Sequence, residues 1–443
     1  MKNKIKIFST IMIFALSSIG YSRTYYVSPN GNDTNTGSKE EPFLSLGKAQ
    51  NILSAGDTVY VRGGTFLITE KQINNYSDIW ASVIELSKSG KKNKRINYWA
   101  YPNEKPIFDF SAIKPSNYRI KAFNITGSWI HIKGIAVVGV QVTILTHTQS
   151  ECFSNEGSDN IFEQLSMHDG QAIGFFLRSG SNNLILNCDA YHNHDYTSEN
   201  GKGGNTDGFG NHPSAGSVNN VFRGCRAWFN SDDGFDCINA SEATVFENCW
   251  AFCNGYSPDF KSLGDGNGFK AGGYAYRPPS KTPNPIPRNL IRFCLAANNK
   301  ANGFYANHHR EGNDWYNNTA YKNSVNYNML NRLADNSNDV PGFNHNMKNN
   351  LGFAARRAEI SNIDSTQSDI KNNYFSLSIA ISADDFISVD FTELSAPRKP
   401  DGSLPEVNCM RPKSTCKWIH AVETTNSTSV IGIRPFLGCF EPK

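Results

Sequence analysis

After its first 22 residues the chain has no apolar run near the ~20 residues that a membrane-spanning helix requires. Nor does it carry an excess of charge of one sign: 43 Lys and Arg stand against 40 Asp and Glu, a formal +3. Three of those lysines, Lys2, Lys4 and Lys6, precede the apolar run Ile11 to Leu16 and the small residues near Gly20 and Ser22, the layout of a secretory signal. Cleavage close to Ser22 removes all three lysines and no acid, leaving a neutral chain with no basic field to hold nucleic acid. No cysteine stands near Ser22 to carry a bacterial lipid. The expectation is a soluble, exported monomer, periplasmic or extracellular, with residues 1–22 as signal peptide.

Ten cysteines in such a chain invite a disulfide framework. Four of them, Cys188, Cys225, Cys249 and Cys294, instead occupy one slot of a repeat, the pattern of a row of small buried side chains. Cys409, Cys416 and Cys439, in a loop-like tail, are the better disulfide candidates.

Helical patterning is nearly confined to Ser45–Ser54, between strand-like Thr24–Val27 and Thr58–Val61. A short helix ahead of many strands suits a cap, since the open end of a stacked sheet must be covered. From about 120 to 350 short β runs alternate with Asn and Gly. Leu186-Asn187-Cys188-Asp189-Ala190 aligns with Arg223-Gly224-Cys225-Arg226-Ala227, Glu247-Asn248-Cys249-Trp250-Ala251 and Arg292-Phe293-Cys294-Leu295-Ala296. Each copy then reaches an Asn at the same offset, Asn193, Asn230, Asn254 and Asn299, and a fifth copy places Asn318 in the Cys slot. An Asn at each bend can hydrogen-bond its copies as a ladder when coils stack ~4.8 Å apart. Unit spacings of roughly 25 to 45 residues lie in the solenoid range. The predicted fold is all-β, a right-handed parallel β-helix over 23–443, with cap 23–70, coils about 71–375 and a tail 376–443 that wraps the coil or caps its end. A β-propeller or sandwich does not readily explain Asn ladders with irregular insertions. Two such insertions, 194–206 and 255–288, are too long for plain turns and predict groove walls.

A second frame repeats in register: Asp207-Gly208-Phe209-Gly210, Asp233-Gly234-Phe235-Asp236, Asn267-Gly268-Phe269-Lys270, Asn302-Gly303-Phe304-Tyr305. Stacked coils bring Gly210, Asp236, Lys270 and Tyr305 into one column, with Asp207 against Asp233 and Asp232 and Asp236 beside them. One Asp-Gly turn is ordinarily structural. Four carboxylates held together raise one another's pKa unless a cation intervenes, and all-oxygen ligands without His or Cys favour calcium. Lys270, in the column of Asp236, is either its salt-bridge partner on a solvated face or a general base; a nearby cation and desolvation would lower its pKa towards a usable neutral amine.

Asn205-Thr206-Asp207-Gly208-Phe209, Asn230-Ser231-Asp232-Asp233-Gly234-Phe235-Asp236 and Gly266-Asn267-Gly268-Phe269-Lys270-Ala271-Gly272-Gly273 resemble the signature segments of polysaccharide lyase family 9, right-handed β-helix enzymes that cleave pectic polymers by β-elimination. The resemblance extends to Tyr26-Val27-Ser28-Pro29 and Gly56-Asp57-Thr58-Val59 and so covers most of the chain. It implies Asp207, Asp232, Asp233 and Asp236 as calcium ligands and Lys270 as Brønsted base. By position alone Tyr305, His308, His309 and Arg310 are further candidates to touch sugar or carboxylate.

The implied partner is a pectic polysaccharide, rhamnogalacturonan I or homogalacturonan. A neutral chain suits the former, whose alternating rhamnose halves the carboxylates to be balanced and offers methyl groups to Phe and Tyr walls. Two other classes remain at this level. A β-helix hydrolase would use the aspartates as acid and base with water and give no ultraviolet-absorbing product; a non-catalytic carbohydrate-binding β-helix would be indifferent to loss of Lys270.

Overall fold

The protein is described from a computed structural model at residues 22–275, 277–419 and 433–443. The predicted signal peptide lies outside the described residues, apart from Ser22. Among those described, no helix is long and apolar enough to cross a membrane.

Most coils contribute a strand of a few residues to each of three sheets, of 12, 10 and 11 strands. Neighbours within a sheet are successive coils, and their pairing is parallel apart from one hairpin, Asn75–Ser77 with Trp80–Leu86, at the edge of the third sheet. The predicted strands Thr24–Val27 and Thr58–Val61 pair at the start of the first sheet. The molecule is thus an all-β parallel β-helix.

Corners explain much of the Asn and Gly content. Between first and second sheets the chain turns through one residue of positive φ: Asn187, Gly224, Asn248, Phe293, Asn317 and Asn349 in successive coils. Gly and Asn tolerate that conformation at little cost, whereas Phe293 is the exception among them. The next residue is the repeat's Cys slot. Cys188, Cys225, Cys249 and Cys294 are buried, and each thiol donates to a carbonyl of the preceding coil, Phe162, Ile185, Phe222 and Phe246 respectively. Asn318 fills the same slot and accepts from the Cys294 backbone at 3.0 Å.

Asn side chains form the expected ladder at the next bend. Asn193 Nδ2 donates to Asn230 Oδ1, Asn230 to Asn254, Asn254 to Asn299 and Asn299 to Asn323, at 2.9–3.1 Å. All five are buried. Asn254 also donates to Ala227 O and accepts from the Asn230 backbone, so Asn254→Ala orphans several buried groups at once. We expect it to cost about 3 kcal/mol, seen as a lower denaturant midpoint with unchanged slope; a loss within about 0.5 kcal/mol would mean that the ladder is ornamental.

The cap helix runs Leu46–Ile52, slightly shorter than predicted. Ser45 caps it, its Oγ accepting from Lys48 N at 3.1 Å and donating to Asp33 at 2.7 Å. Leu46, Ala49 and Gln50 face the core, where Gln50 accepts from the Tyr98 hydroxyl at 2.8 Å.

The tail wraps along the second sheet. Arg226 donates to Leu394 O and Ala396 O, Arg398 pairs with Asp189 at 2.7 Å, and farther along Asn317 holds Arg434 O and Phe436 O. This wrapping corrects the disulfide expectation. All ten cysteines are free and buried, including Cys409, Cys416 and Cys439. Hydrogen bonds and apolar packing secure the tail instead: the Cys439 backbone donates to Thr319 Oγ1, and the Phe440 ring meets Trp250 edge-on.

Candidate active site

The third sheet carries the second frame as a stack. Phe209, Phe235, Phe269 and Phe304 pair in register and their rings lie parallel inside the coil at 4.7–5.1 Å. Alternation in a strand then sends the next residue outward. Gly210, Asp236, Lys270 and Tyr305 form the predicted column.

The frame's first position is itself a ladder. Asp207 Oδ1 accepts from Asp233 N, Asp233 Oδ1 from Asn267 N, and Asn267 Oδ1 from Asn302 N, at 3.2, 2.6 and 3.2 Å. An Asn suffices structurally, as Asn267 and Asn302 show. Asp at two coils of the same ladder adds charge that the backbone does not require.

Asp207, Asp232 and Asp233 are buried and each offers a carboxylate oxygen within 4.8 Å of the others. Asp236 is buried beside them, but does not share that three-oxygen cluster; its Oδ1 accepts from Ile238 N and its Oδ2 faces Lys270. Burial first, and then repulsion among the carboxylates, pushes Asp207 and Asp232 well above the usual carboxylate range. Asp233 is raised by the same causes, burial foremost and against the pull of Lys270. Asp233 Oδ2, fully buried, makes no hydrogen bond and has only the Lys270 ammonium at 3.0 Å. Buried acids with uncommitted oxygens fit a hard divalent cation.

Lys270 Nζ lies 3.0 Å from Asp233 and 3.2 Å from Asp236, with its side chain only 11% exposed. The solvated-face reading is therefore wrong. The expected fall in pKa presupposes a cation among the carboxylates; without one the acids work the other way. Burial does act to lower it, yet the summed attraction of Asp233, Asp236, Asp232 and Asp207 outweighs burial and holds the amine well above the ordinary lysine value. The solvated-face reading fails because the lysine is packed among the acids rather than one coil clear of them.

Two contributors escaped sequence reasoning. Asp265 donates its backbone N–H to Asp232 Oδ1 at 2.8 Å and adds its charge to the field on Asp232 and Asp233. Asn267 clamps Asp233 through side chain and backbone; its place in the Asp column was the available signal.

The four further candidates separate. Tyr305 stands beside Lys270 in the column, and burial pushes its hydroxyl up to about 12. His308 pairs with Asp339 at 3.3 Å. Arg310 is buried and donates from Nη1 to Thr282 Oγ1, in the insertion that ends at Arg288. His309 is corrected outright: it is fully buried, with Nε2 on Pro287 O at 2.9 Å and its ring beside Tyr274, so it anchors the wall rather than meeting a substrate.

His309 and His345 are held neutral by burial, His309 at about 4 and His345 at about 3. Unfolding frees both to take up protons below about 6.5. Their contribution to stability is therefore complete above that value and lost as pH falls towards about 4. His309→Gln should flatten the acid side of the stability profile by an amount on the order of 2 kcal/mol, followed by unfolding at stepped pH; an unchanged slope would show that His309 already binds its proton when folded.

Fold and site together define a class, a β-helix enzyme acting on polysaccharide. The family model described as "Pel9A-like, right handed beta helix region" matches residues 25–356. The chain is 33% identical over 433 residues to pectate lyase L of Dickeya dadantii, covering 96% of this chain and 92% of that one. Among solved structures, a rhamnogalacturonan lyase superposes with TM-score 0.86 at 44% identity, covering 89% of this chain and 97% of its own. Pectate lyase Pel9A superposes at 0.75 and 32%, covering 96% and 98%. The chain belongs to the Pel9A-like right-handed β-helix family, polysaccharide lyase family 9, and is a polysaccharide lyase. The hydrolase and non-catalytic readings fall with that membership.

Proposed function

We propose that this protein is a secreted, calcium-dependent lyase of pectic chains, cleaving the bond to O4 of galacturonate by β-elimination with Lys270 as base. The observation that carries the reading is Lys270 Nζ at ion-pair distance from Asp233 and Asp236, beside the carboxylate trio of Asp207, Asp232 and Asp233. Asp207, Asp232, Asp233 and Asp236 would hold the calcium. When bound, that ion supplies positive charge beside the uronate carboxylate, where negative charge builds as the C5 proton leaves.

The chain's own residues account for the proton. The Lys270 amine in its neutral form takes the C5 proton; the C5–H electron pair becomes the C4–C5 double bond, the C4–O bond breaks, and the departing oxygen takes a proton from water. Acids and base form one cluster, with Lys270 Nζ 3.0 Å from Asp233 and 3.2 Å from Asp236. The carboxylates favour the lysine's proton and burial opposes it; a cation balancing the carboxylates would weaken their hold and so favour the neutral amine. Asn267 and Asp265 fix the positions of Asp233 and Asp232.

Between pectic substrates, greater likeness to a rhamnogalacturonan lyase, at 44% against 32–33% for pectate lyases, favours the rhamnogalacturonan I backbone. Homogalacturonan is the second reading, supported by the pectate lyase relatives themselves. The test is incubation with each polymer, with and without calcium, following the ultraviolet absorbance of the unsaturated product. Faster product from rhamnogalacturonan is expected; faster product from homogalacturonan reverses the substrate assignment, and none from either refutes the pectic reading.

A further inference from the structure

One tryptophan stands where the coil calls for Asn or Asp. At the corner entering the first sheet, two residues before the paired positions His131, Ile161, Leu184 and Val221, successive coils place Trp129, Asp159, Asn182 and Asn219. All four have φ between 57° and 61°. Asn and Asp visit that left-handed conformation readily, whereas a bulky side chain is strained in it. The later coils show that the corner folds without tryptophan, and strain kept with no structural need points to a use.

Trp129 belongs to a belt of rings on the outer face of the first sheet. Tyr26, Tyr60 and Trp99 form one outward column over its first three strands, with ring centroids 5.8 and 6.4 Å apart, and Tyr101 lies 5.5 Å from Tyr60. All five aromatic side chains are half-buried, so part of each ring meets solvent. In later coils the same column turns to ion pairs, Lys133 with Glu163 and then Arg223 and Arg292 with Glu247. Cations rim the belt: Arg95 lies over Trp129 at 5.0 Å and Lys39 over Tyr101 at 5.3 Å. Lys91, Lys92 and Lys94 crowd one tight turn, closed by backbone bonds between Lys91 and Lys94. All three are exposed, and among the described residues none pairs with a carboxylate. Beside this turn opens a cavity of about 400 Å³ lined by Asn93, Lys94, Arg95, Asn97, Trp99 and Trp129.

Ring faces, unpaired ammonium groups and amides together suit one ligand chemistry. The C–H faces of a pyranose are apolar and stack on aromatic rings, its hydroxyls bond amides, and a uronate carboxylate matches lysine. From Arg95 to Tyr101 the belt spans ~20 Å of extended strand, long enough for a short run of sugars. We propose that this face of the first sheet is an accessory binding site for a uronate-bearing polysaccharide, separate from the cleavage site on the third sheet. A polymer tethered there is presented to the groove at high effective concentration. The uronate identity rests on the pectic reading above. Single-stranded nucleic acid also stacks on rings and needs cations, but a chain of a polysaccharide lyase family favours the sugar polymer.

The test is affinity electrophoresis through gels holding polygalacturonate or rhamnogalacturonan I backbone, with chelator to prevent cleavage, and turnover of the matching tetrasaccharides with calcium alongside. Trp99→Ala should bind the polymer about 10-fold more weakly. The combined change Lys91→Ser, Lys92→Ser and Lys94→Ser should weaken it about 5-fold, a gap that closes at high salt; lying in an exposed turn, it decides the matter if Trp99→Ala does not fold. Tetrasaccharide kcat and KM should stay within about twofold of wild type in both variants, because the short chain needs only the groove. If both folded variants are retarded as wild type is, the face is idle and the site is refuted. A matching fall in tetrasaccharide turnover would make the face part of the groove and overturn its accessory role. Equal retardation of wild type and the lysine variant by fully methyl-esterified and by acidic galacturonan refutes the uronate assignment, and Trp99-dependent binding of oligothymidylate with no retention by either pectic polymer refutes the polysaccharide. If neither polymer is ever cleaved but Trp99→Ala loses its retention, the lyase reading fails and the accessory site stands.

Discussion

Lys270→Ala is expected to lower the rate of elimination by about 10²–10⁴-fold, the usual worth of a positioned general base, with the polymer still bound. The same substitution should also destabilise the protein, because Lys270 is the cation paired with buried Asp233 and Asp236. Removing one partner of a buried pair costs about 3–5 kcal/mol, since the charge left behind has no solvent. Activity loss alone would therefore be ambiguous. Lys270→Arg separates the two effects: a guanidinium keeps the charge but does not give up its proton. That variant should melt near wild type and yet be as inactive as Lys270→Ala, measured by ultraviolet product and thermal unfolding. An active Lys270→Arg would show that the position supplies charge rather than a base.

Much of this architecture was legible because its periodicities are set by stacking. Cys188, Cys225, Cys249 and Cys294 share a slot since that corner admits only a small side chain, and a thiol can satisfy a carbonyl of the coil before it. Asn193 to Asn323 align because an amide both donates to and accepts from its copy in the neighbouring coil. The column of Asp236, Lys270 and Tyr305 followed from the same register. What did not follow was depth. A strand pattern places Lys270 on the outer face, but whether water reaches that face is not written in the pattern; Asp233 and Asp236 pack against the amine and its side chain is only 11% exposed. His309 was misjudged for that reason, since a histidine after a turn reads as surface until Pro287 and Tyr274 are seen to cover it. The tail cysteines were misjudged because export and loop character suggested staples, while Arg226 and Arg398 secure the tail through ion pairs and carbonyls.

Calcium should stabilise the protein more at about pH 8 than at about pH 5, and a chelator should abolish product formation at either. Asp207 and Asp232 have folded pKa values raised above the unfolded ones. Without a cation, the folded state holds protons there that the unfolded chain has already released. Their contribution to stability is thus present below the ordinary carboxylate range and is lost as pH rises through the raised values. This is opposite in sign to the contribution of His309 and His345. A divalent ion bound by these carboxylates displaces the retained protons, so binding should tighten with rising pH and release protons into the buffer. At a hundredfold excess over its dissociation constant the ion should add about 2.7 kcal/mol. Titration calorimetry in two buffers of different ionisation enthalpy measures the protons released, and Asp233→Asn, which keeps the ladder to Asn267 but loses a charge, should weaken the ion by about 10-fold or more. Calcium binding that neither releases protons nor strengthens with pH would mean that the ion sits elsewhere and that these carboxylates serve only to hold Lys270.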